Sequence, residues 1–459
     1  MVKTKDFSVY LGNDPSSKNK RLNWVPKSEK NPHLIVVGGS GSGKTETLKS
    51  IMLELKNQKV NSLILDFHND FKVFADNLVQ IDEATIHPFE VQLNEKPLDV
   101  AYKVSKMIAK VFSLGEVQEA IIRDSIKIFY QRSGIKDLKK KNEGGVELLP
   151  FQRFQDILYN TDIKTTGIKV LLAKLSVLFD VDIFMNADST SVSLKNIVHQ
   201  LSVIELLEFP TDEVKSLVGD LLLNKLINYL YTKGKTDEYW LYVVIDEAHR
   251  MMYPGSPVEL LLRESRKYGV GVILASQRPT DFSETILANT GSMLAFQASL
   301  DKDAVFLSKQ LHIPKIDLQM LRNAGLGYAL FSSDNKPTKV QIVPVKDRKE
   351  FKQILDKFDE SDASKSFIKE QDRVKKEKEK RNKLIKENSK LKDEVKCQDR
   401  FIDELKNDLE RNEFTFEKLR LEIKKLNMEN IVTNNEIDKL SERLDEKIDL
   451  LDKLRKKKS

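Results

Sequence analysis

The stretch Leu34-Ile-Val-Val-Gly38-Gly-Ser-Gly-Ser-Gly43-Lys44-Thr45 runs an apolar strand straight into a glycine loop. It has the spacing G-x-x-x-x-G-K-[ST] of a phosphate-binding loop. Gly38, Gly41 and Gly43 reach backbone angles closed to other residues, so consecutive N–H groups can turn inward around a phosphate. Gly39, Ser40 and Ser42 complete the loop, and Glu46 follows it. Lys44 supplies a point charge for the outer phosphates, and the Thr45 hydroxyl a ligand for Mg²⁺. The helix expected from Thr45 to about Asn57 aims its N-terminal dipole at the same anion. ATP with Mg²⁺ is the ligand this arrangement predicts.

At 459 residues the chain exceeds one core, so a large domain with an appendage is expected. Net charge is +6, of which residues 361–459 carry +4, leaving the first 360 residues nearly balanced. A nucleic-acid surface must therefore be a local patch. Cys397 is the sole cysteine, which excludes disulfide frameworks and cysteine-ligated metal sites and suits a reducing compartment. Residues Met1–Asp6 lack the apolar region of a leader, and no apolar run approaches the length of a transmembrane helix. A cytoplasmic protein, or one peripheral through a partner, is expected.

In chain order, residues 1–33 form a short segment with room for a strand or two. A nucleotide domain is expected over 34–345. Ser62–Asp66 reads as a parallel strand, apolar on both faces. Asp66 and His68 follow at its carboxyl end, where a loop carboxylate and a turn histidine are the plainer readings. From 98 to 235 apolar residues repeat at helical spacing (Val104, Ile108, Val111; Ile122, Ile126, Phe129), predicting a helical insertion. Ser191–Ile197 reads as a short strand. The basic run Lys139-Lys-Lys-Asn-Glu-Gly-Gly145 suits a solvated loop more than a DNA contact.

The sheet is expected to resume at Leu241-Tyr-Val-Val-Ile-Asp246-Glu247, an apolar run ending in two carboxylates. Downstream of a phosphate loop this Walker B pattern completes one Mg-nucleotide site. Asp246 would hold the Mg²⁺ water shell opposite Thr45, and Glu247 would orient and deprotonate the attacking water. A helix over Val258–Tyr268 carries Arg263, Arg266 and Lys267, either a solvated face or a source of cations for a neighbour's nucleotide. The strand Val270–Ala275 delivers Gln277, an amide placed to sense the γ-phosphate or the water.

After a linker over 346–370, residues 371–459 read as a long helix. From Ile402 a heptad holds, with Ile402, Leu409, Phe416, Ile423, Ile437, Leu444 and Leu451 at a, Leu405, Leu419, Leu426, Leu440 and Leu454 at d, and the polar Asn412, Thr433 and Lys447 at the other d positions. Such a stripe predicts a coiled coil of this chain with itself or another, and Asn430 at a can fix its register.

As an ordered set, Asn31–Thr45, Val244-Ile-Asp-Glu-Ala-His249, Arg263-Glu-Ser-Arg-Lys-Tyr-Gly-Val270, Ile273-Leu-Ala-Ser-Gln-Arg-Pro279 and Ala288-Asn-Thr290 resemble the HerA-like ATPases of the HerA/FtsK branch. The resemblance covers roughly residues 9–345. It implies an α/β, RecA-like core with a helical insertion, a hexameric ring with ATP between subunits, and translocation on double-stranded DNA. It also implies Arg266 as the finger acting in trans, and a nuclease partner in DNA processing or in defence against foreign DNA. Two departures are that only about 30 residues precede the first motif strand, where the family usually carries a β-barrel, and that the carboxyl-terminal coil lies outside the family core. Other readings are an ATP-dependent scaffold assembled by the coil, and a coupling or packaging ATPase of a conjugation or viral system.

Overall fold

A computed structural model describes residues 7–17, 20–79, 87–144, 147–160, 166–179, 184, 194–298, 300–311, 325–333, 336–359, 424–429, 431–441 and 443. The strands are β1 (Val9–Asn13), β2 (Arg21–Trp24), β3 (Leu34–Val37), β4 (Asn61–Asp66), β5 (Asn77–Val79), β6 (Leu201–Glu205), β7 (Thr236–Ile245), β8 (Tyr268–Ser276), β9 (Ser292–Ala295), β10 (Tyr328–Ser333) and β11 (Lys336–Ile342). Among the described residues they form one eleven-stranded sheet, ordered β2-β1-β11-β10-β9-β3-β8-β7-β4-β6-β5. From β9 to β5 every neighbouring pair is parallel, while β10, β11, β1 and β2 add an antiparallel flank. This is the expected α/β, RecA-like core with a mostly parallel sheet.

The central strands are apolar throughout because both their faces are covered. Leu34 and Val36 of β3 face one layer, with Leu48, Ile51 and Leu55 of α1 (Lys44–Asn57). Ile35 and Val37 face the other, built by α2 (Pro97–Val111), α3 (Glu116–Arg132), α4 (Gln152–Tyr159), α5 (Thr166–Phe179), α7 (Asp212–Lys233) and α8 (Pro257–Glu264). A four-turn α1 packs because its apolar residues recur at helical spacing on one side. Shorter helices α6 (Leu194–Ile197), α9 (Glu284–Ala288) and α10 (Asp301–Gln310) cover connections, and α11 (Lys349–Asp359) follows the last strand.

Three local expectations are corrected. The strand read at Ser191–Ile197 is not there: Leu194–Ile197 is the helix α6, and 191–193 lie outside the described residues. The strand is instead Leu201–Glu205, which pairs in parallel with both β4 and β5, so the sheet resumes forty residues earlier than Leu241. Being buried on both faces, its Leu-Ser-Val-Ile-Glu run shows no alternation to mark it. Thirdly, α8 ends at Glu264; Ser265–Lys267 form a separate 3₁₀ turn, and Tyr268 already belongs to β8.

Contacts divide the chain into Met1–Asp356 and Lys357–Ser459. Of the expected coiled coil, 424–429, 431–441 and 443 are described and are helical, and the rest of the heptad lies outside the described residues. No described helix is long and apolar enough to cross a membrane.

Candidate nucleotide site at the carboxyl ends of the parallel strands

Register decides which residues meet. Val37 is level with Ser276 and Ile245 with Leu274, so Gly38, Asp246–Glu247 and Gln277 leave the sheet side by side. The Gly38 N–H donates to the Ser276 carbonyl (3.3 Å) and the Gly39 N–H to the Gln297 carbonyl (3.4 Å), pinning the loop between β8 and the segment after β9. A Cβ on Gly38 would lie 2.5 Å from the Phe296 Cβ, so the close approach of two backbones requires glycine. Gly43, at φ +108°, caps α1 in the left-handed region and turns the helix amino end toward the loop.

Lys44 is buried, and its Nζ donates to the Gly39 carbonyl at 3.0 Å. Burial pulls its pKa down, opposed by the charges of Glu247 and Asp246, which places all three in one electrostatic neighbourhood. The Asp246 carboxyl is pushed up to about 6, first by burial and then by Glu247. The Glu247 N–H donates to Asp246 Oδ1 at 2.9 Å. Glu247 itself has φ +53°, a left-handed conformation that costs a non-glycine residue about 1 kcal/mol. That turn presents its carboxylate to Gln277, whose Nε2 donates to both oxygens at 3.2 Å.

The residues fit a Mg-nucleotide. The buried Ser42 Oγ has no hydrogen-bond partner among the described residues, the space around Gly41 is open, and the Lys44 ammonium donates to a carbonyl of its own loop. An incoming phosphate would satisfy both side chains. Thr45 and Glu46 stand in the first turn of α1, and Ser40 in the loop.

Other expected positions lie apart. Arg266 sits just before β8 and donates to Asn31 Oδ1 at 3.3 Å. The full strand β8 separates it from Gln277, about 30 Å at ~3.3 Å per residue. Lys267 is paired with Glu264, and Arg263 is exposed. Asp66 is occupied structurally: its carboxylate accepts from the backbone of His68, Asp70 and Phe71 at 2.9–3.2 Å. His68 is exposed beside Asp246. Asn142 ties the basic loop to the Val91 carbonyl at 2.6 Å.

Two neighbours escaped the sequence reading. His249 Nδ1 lies 3.2 Å from Glu247 Oε2, and Arg278 lines the cleft beside Gly38 and Gly39. Each lies within one of the stretches that carry the family resemblance, and that position was the only signal.

Comparison with known proteins agrees with this geometry. Residues 29–226 match the family described as the central domain of helicase HerA. A DNA double-strand break repair helicase HerA of Sulfurisphaera tokodaii is 24% identical over 320 residues, covering 66% of this chain and 58% of the relative. Over these residues the chain is similar to the HerA/FtsK branch of P-loop ATPases. It spans little more than half of that HerA relative. Among solved structures, VirB4 of Thermoanaerobacter pseudethanolicus aligns with a TM-score of 0.60 at 19% identity, over 74% of this chain and 97% of VirB4. The plasmid coupling protein TrwB in complex with ADP and Mg²⁺ aligns at 0.51 and 15%, over 70% and 86%. These likenesses are of fold, and they cover the α/β sheet of this chain.

Proposed function

We propose that the chain is an ATP-driven motor that translocates double-stranded DNA as a ring, hexameric in the HerA manner, in the cytoplasm. The observation that carries it is the pairing of Glu247 with Gln277 directly beside the phosphate loop, which supplies a base and its orienting group. Gly38–Thr45 would cradle the phosphates, Lys44 leaving the Gly39 carbonyl for the terminal one, with Glu46 opening the helix behind them. Thr45 and Asp246 would hold Mg²⁺, whose charge neutralises the phosphates when bound. Glu247 takes a proton from the attacking water, and Gln277 fixes the carboxylate angle.

Arg266 cannot serve its own subunit, since it lies at the opposite ends of the strands. On this reading it reaches a neighbour's nucleotide, so hydrolysis depends on assembly. The coil over 371–459 adds a second route to self-association, or recruits a partner such as a nuclease.

The test is ATP hydrolysis by the purified protein with and without linear double-stranded DNA, with Glu247→Gln as the blank. Stimulation by DNA that is absent in the variant supports the motor. Hydrolysis indifferent to DNA refutes it and favours the scaffold.

A further inference from the structure

The geometry points to Arg278 as a cation that reads the terminal phosphate from within the same subunit, held by Asp303 of α10 until that phosphate arrives. This rests on the nucleotide reading of the phosphate loop and extends it to a second element, α10.

Beyond the level pair Val37 and Ser276, the two chains turn into one cleft. Gly38 and Gly39 form one wall, Gln277, Arg278 and Pro279 another, and Asp303 closes it from the first turn of α10. The Arg278 backbone is fixed: its carbonyl accepts from the Asp281 N–H at 3.2 Å, and Ser276 Oγ donates to Asp281 Oδ2 at 2.5 Å. Its side chain is not fixed. It is 45% exposed, and its Nε lies 3.9 Å from Asp303 Oδ2, a charge contact too long for a hydrogen bond.

Asp303 is the unsatisfied member. Its side chain is only 7% exposed, and Oδ1 has no hydrogen-bond partner among the described residues. A first-turn carboxylate gains from the helix dipole, which accounts for an acid at this place. It does not account for one turned into a cleft whose remaining walls include Ala298, Leu300 and Leu307. A buried acceptor without its partner is costly, so Arg278 is held by attraction but not locked. A terminal phosphate carries more charge than Asp303 and offers the guanidinium two-pronged hydrogen bonding. It should win the arginine. ADP lacks that group and leaves Arg278 with Asp303. The nucleotide state would thereby reach α10 and its cap, where Val305 and Leu300 are exposed at 43% and 47%.

The experiment measures equilibrium affinities for ADP and for a slowly hydrolysed ATP analogue, with Mg²⁺, on the full chain and on Arg278→Ala, Arg278→Lys and Asp303→Asn. Losing one charge-assisted contact predicts about tenfold weaker binding of the ATP analogue by Arg278→Ala, with ADP affinity within about twofold. Arg278→Lys should recover part of the loss. Asp303→Asn, which frees the arginine, should favour the ATP analogue over ADP more than the parent does. Only variants whose calorimetric melting matches the parent's are compared, so that loss of affinity is not loss of fold. Equal loss of both nucleotides in Arg278→Ala, or an unchanged ratio in Arg278→Ala and Asp303→Asn while the parent binds both, overturns the proposal and leaves the motor reading standing. A parent chain that binds neither nucleotide overturns both.

Discussion

Arg348→Ala tests how the segment after the last strand is fastened to the helix that carries the phosphate loop. Arg348 is buried just before α11. Its Nη1 donates to Glu54 Oε1 of α1 at 2.6 Å, and its Nη2 to the Tyr10 carbonyl of β1 at 3.0 Å. Nε and Nη2 both reach the Val343 carbonyl at 3.3 Å, which also accepts from Ser50 Oγ of α1 at 3.1 Å. The arginine side chain is 5% exposed and that of Glu54 21%. Removing one member of a buried ion pair costs about 3–5 kcal/mol. The low end applies because water still reaches Glu54, giving about 3 kcal/mol. For a unit the size of Met1–Asp356 that lowers Tm by about 4 °C.

The loss should depend on pH. Burial raises the Glu54 pKa and Arg348 opposes the rise, so the variant carries a carboxyl raised further. An acid whose folded pKa exceeds its unfolded value contributes stability below the unfolded pKa and loses it as pH climbs through the folded one. The deficit should therefore be largest near pH 8 and shrink toward pH 5, and Glu54→Gln in the variant background should recover part of it. Calorimetric melting across that range is the assay. A Tm within about 1 °C of the parent at pH 8, or additive effects of the two substitutions, would refute the reasoning.

Three further outcomes are expected. Glu247→Gln should lower ATP turnover roughly 100- to 10,000-fold with nucleotide affinity retained, because Gln277 can still donate to the remaining carbonyl oxygen; quench-flow and binding assays separate the two. Gly38→Ala should weaken both nucleotide binding and folding, by about 1–3 kcal/mol for the latter, since the new methyl meets the Phe296 Cβ at 2.5 Å; unchanged ATP affinity would contradict the loop packing. Asp220 of α7 is fully buried, accepts from the Tyr253 hydroxyl at 2.7 Å, and burial pushes its carboxyl up to about 8. Its proton-bound form supports the fold at low pH and that support fades as pH rises to about 8, so Asp220→Asn should gain in relative Tm over this interval. An equal Tm difference at pH 5 and pH 8 would contradict it.

What the sequence disclosed follows from how each signal is encoded. The phosphate loop and the Asp246-Glu247 pair were legible because chemistry fixes residue type at fixed local spacing. β3, β4, β8 and the Leu241–Ile245 half of β7 were legible because strands covered on both faces leave apolar runs, whereas the partly exposed Thr236–Trp240 half of β7 was not. β6 was missed since a five-residue run containing Ser202 and ending in Glu205 resembles a helix edge as much as a strand. The contacts of Glu247 with His249, and of Arg278 with Asp303, were not legible. They depend on a left-handed turn at residue 247 and on where α10 is placed, and neither leaves a local pattern.

The strand directions turn a list of motifs into an argument about assembly. In a parallel sheet all carboxyl ends lie on one side, so Gly38, Asp246, Glu247 and Gln277 gather there whatever the connecting helices do. Arg266 precedes a strand of that same sheet and is therefore committed to the other side. No side-chain rotation spans about 30 Å, since an arginine reaches only ~7 Å from its Cα. If Arg266 has a part in hydrolysis, a second subunit must present it, and Arg266→Ala should then lose turnover while keeping ATP affinity. Mixing that variant with Glu247→Gln discriminates further. Neither hydrolyses alone, yet a mixed ring pairs an intact Glu247 with an intact Arg266 at some interfaces. Recovered turnover in the mixture supports contact in trans, and none at any ratio counts against it.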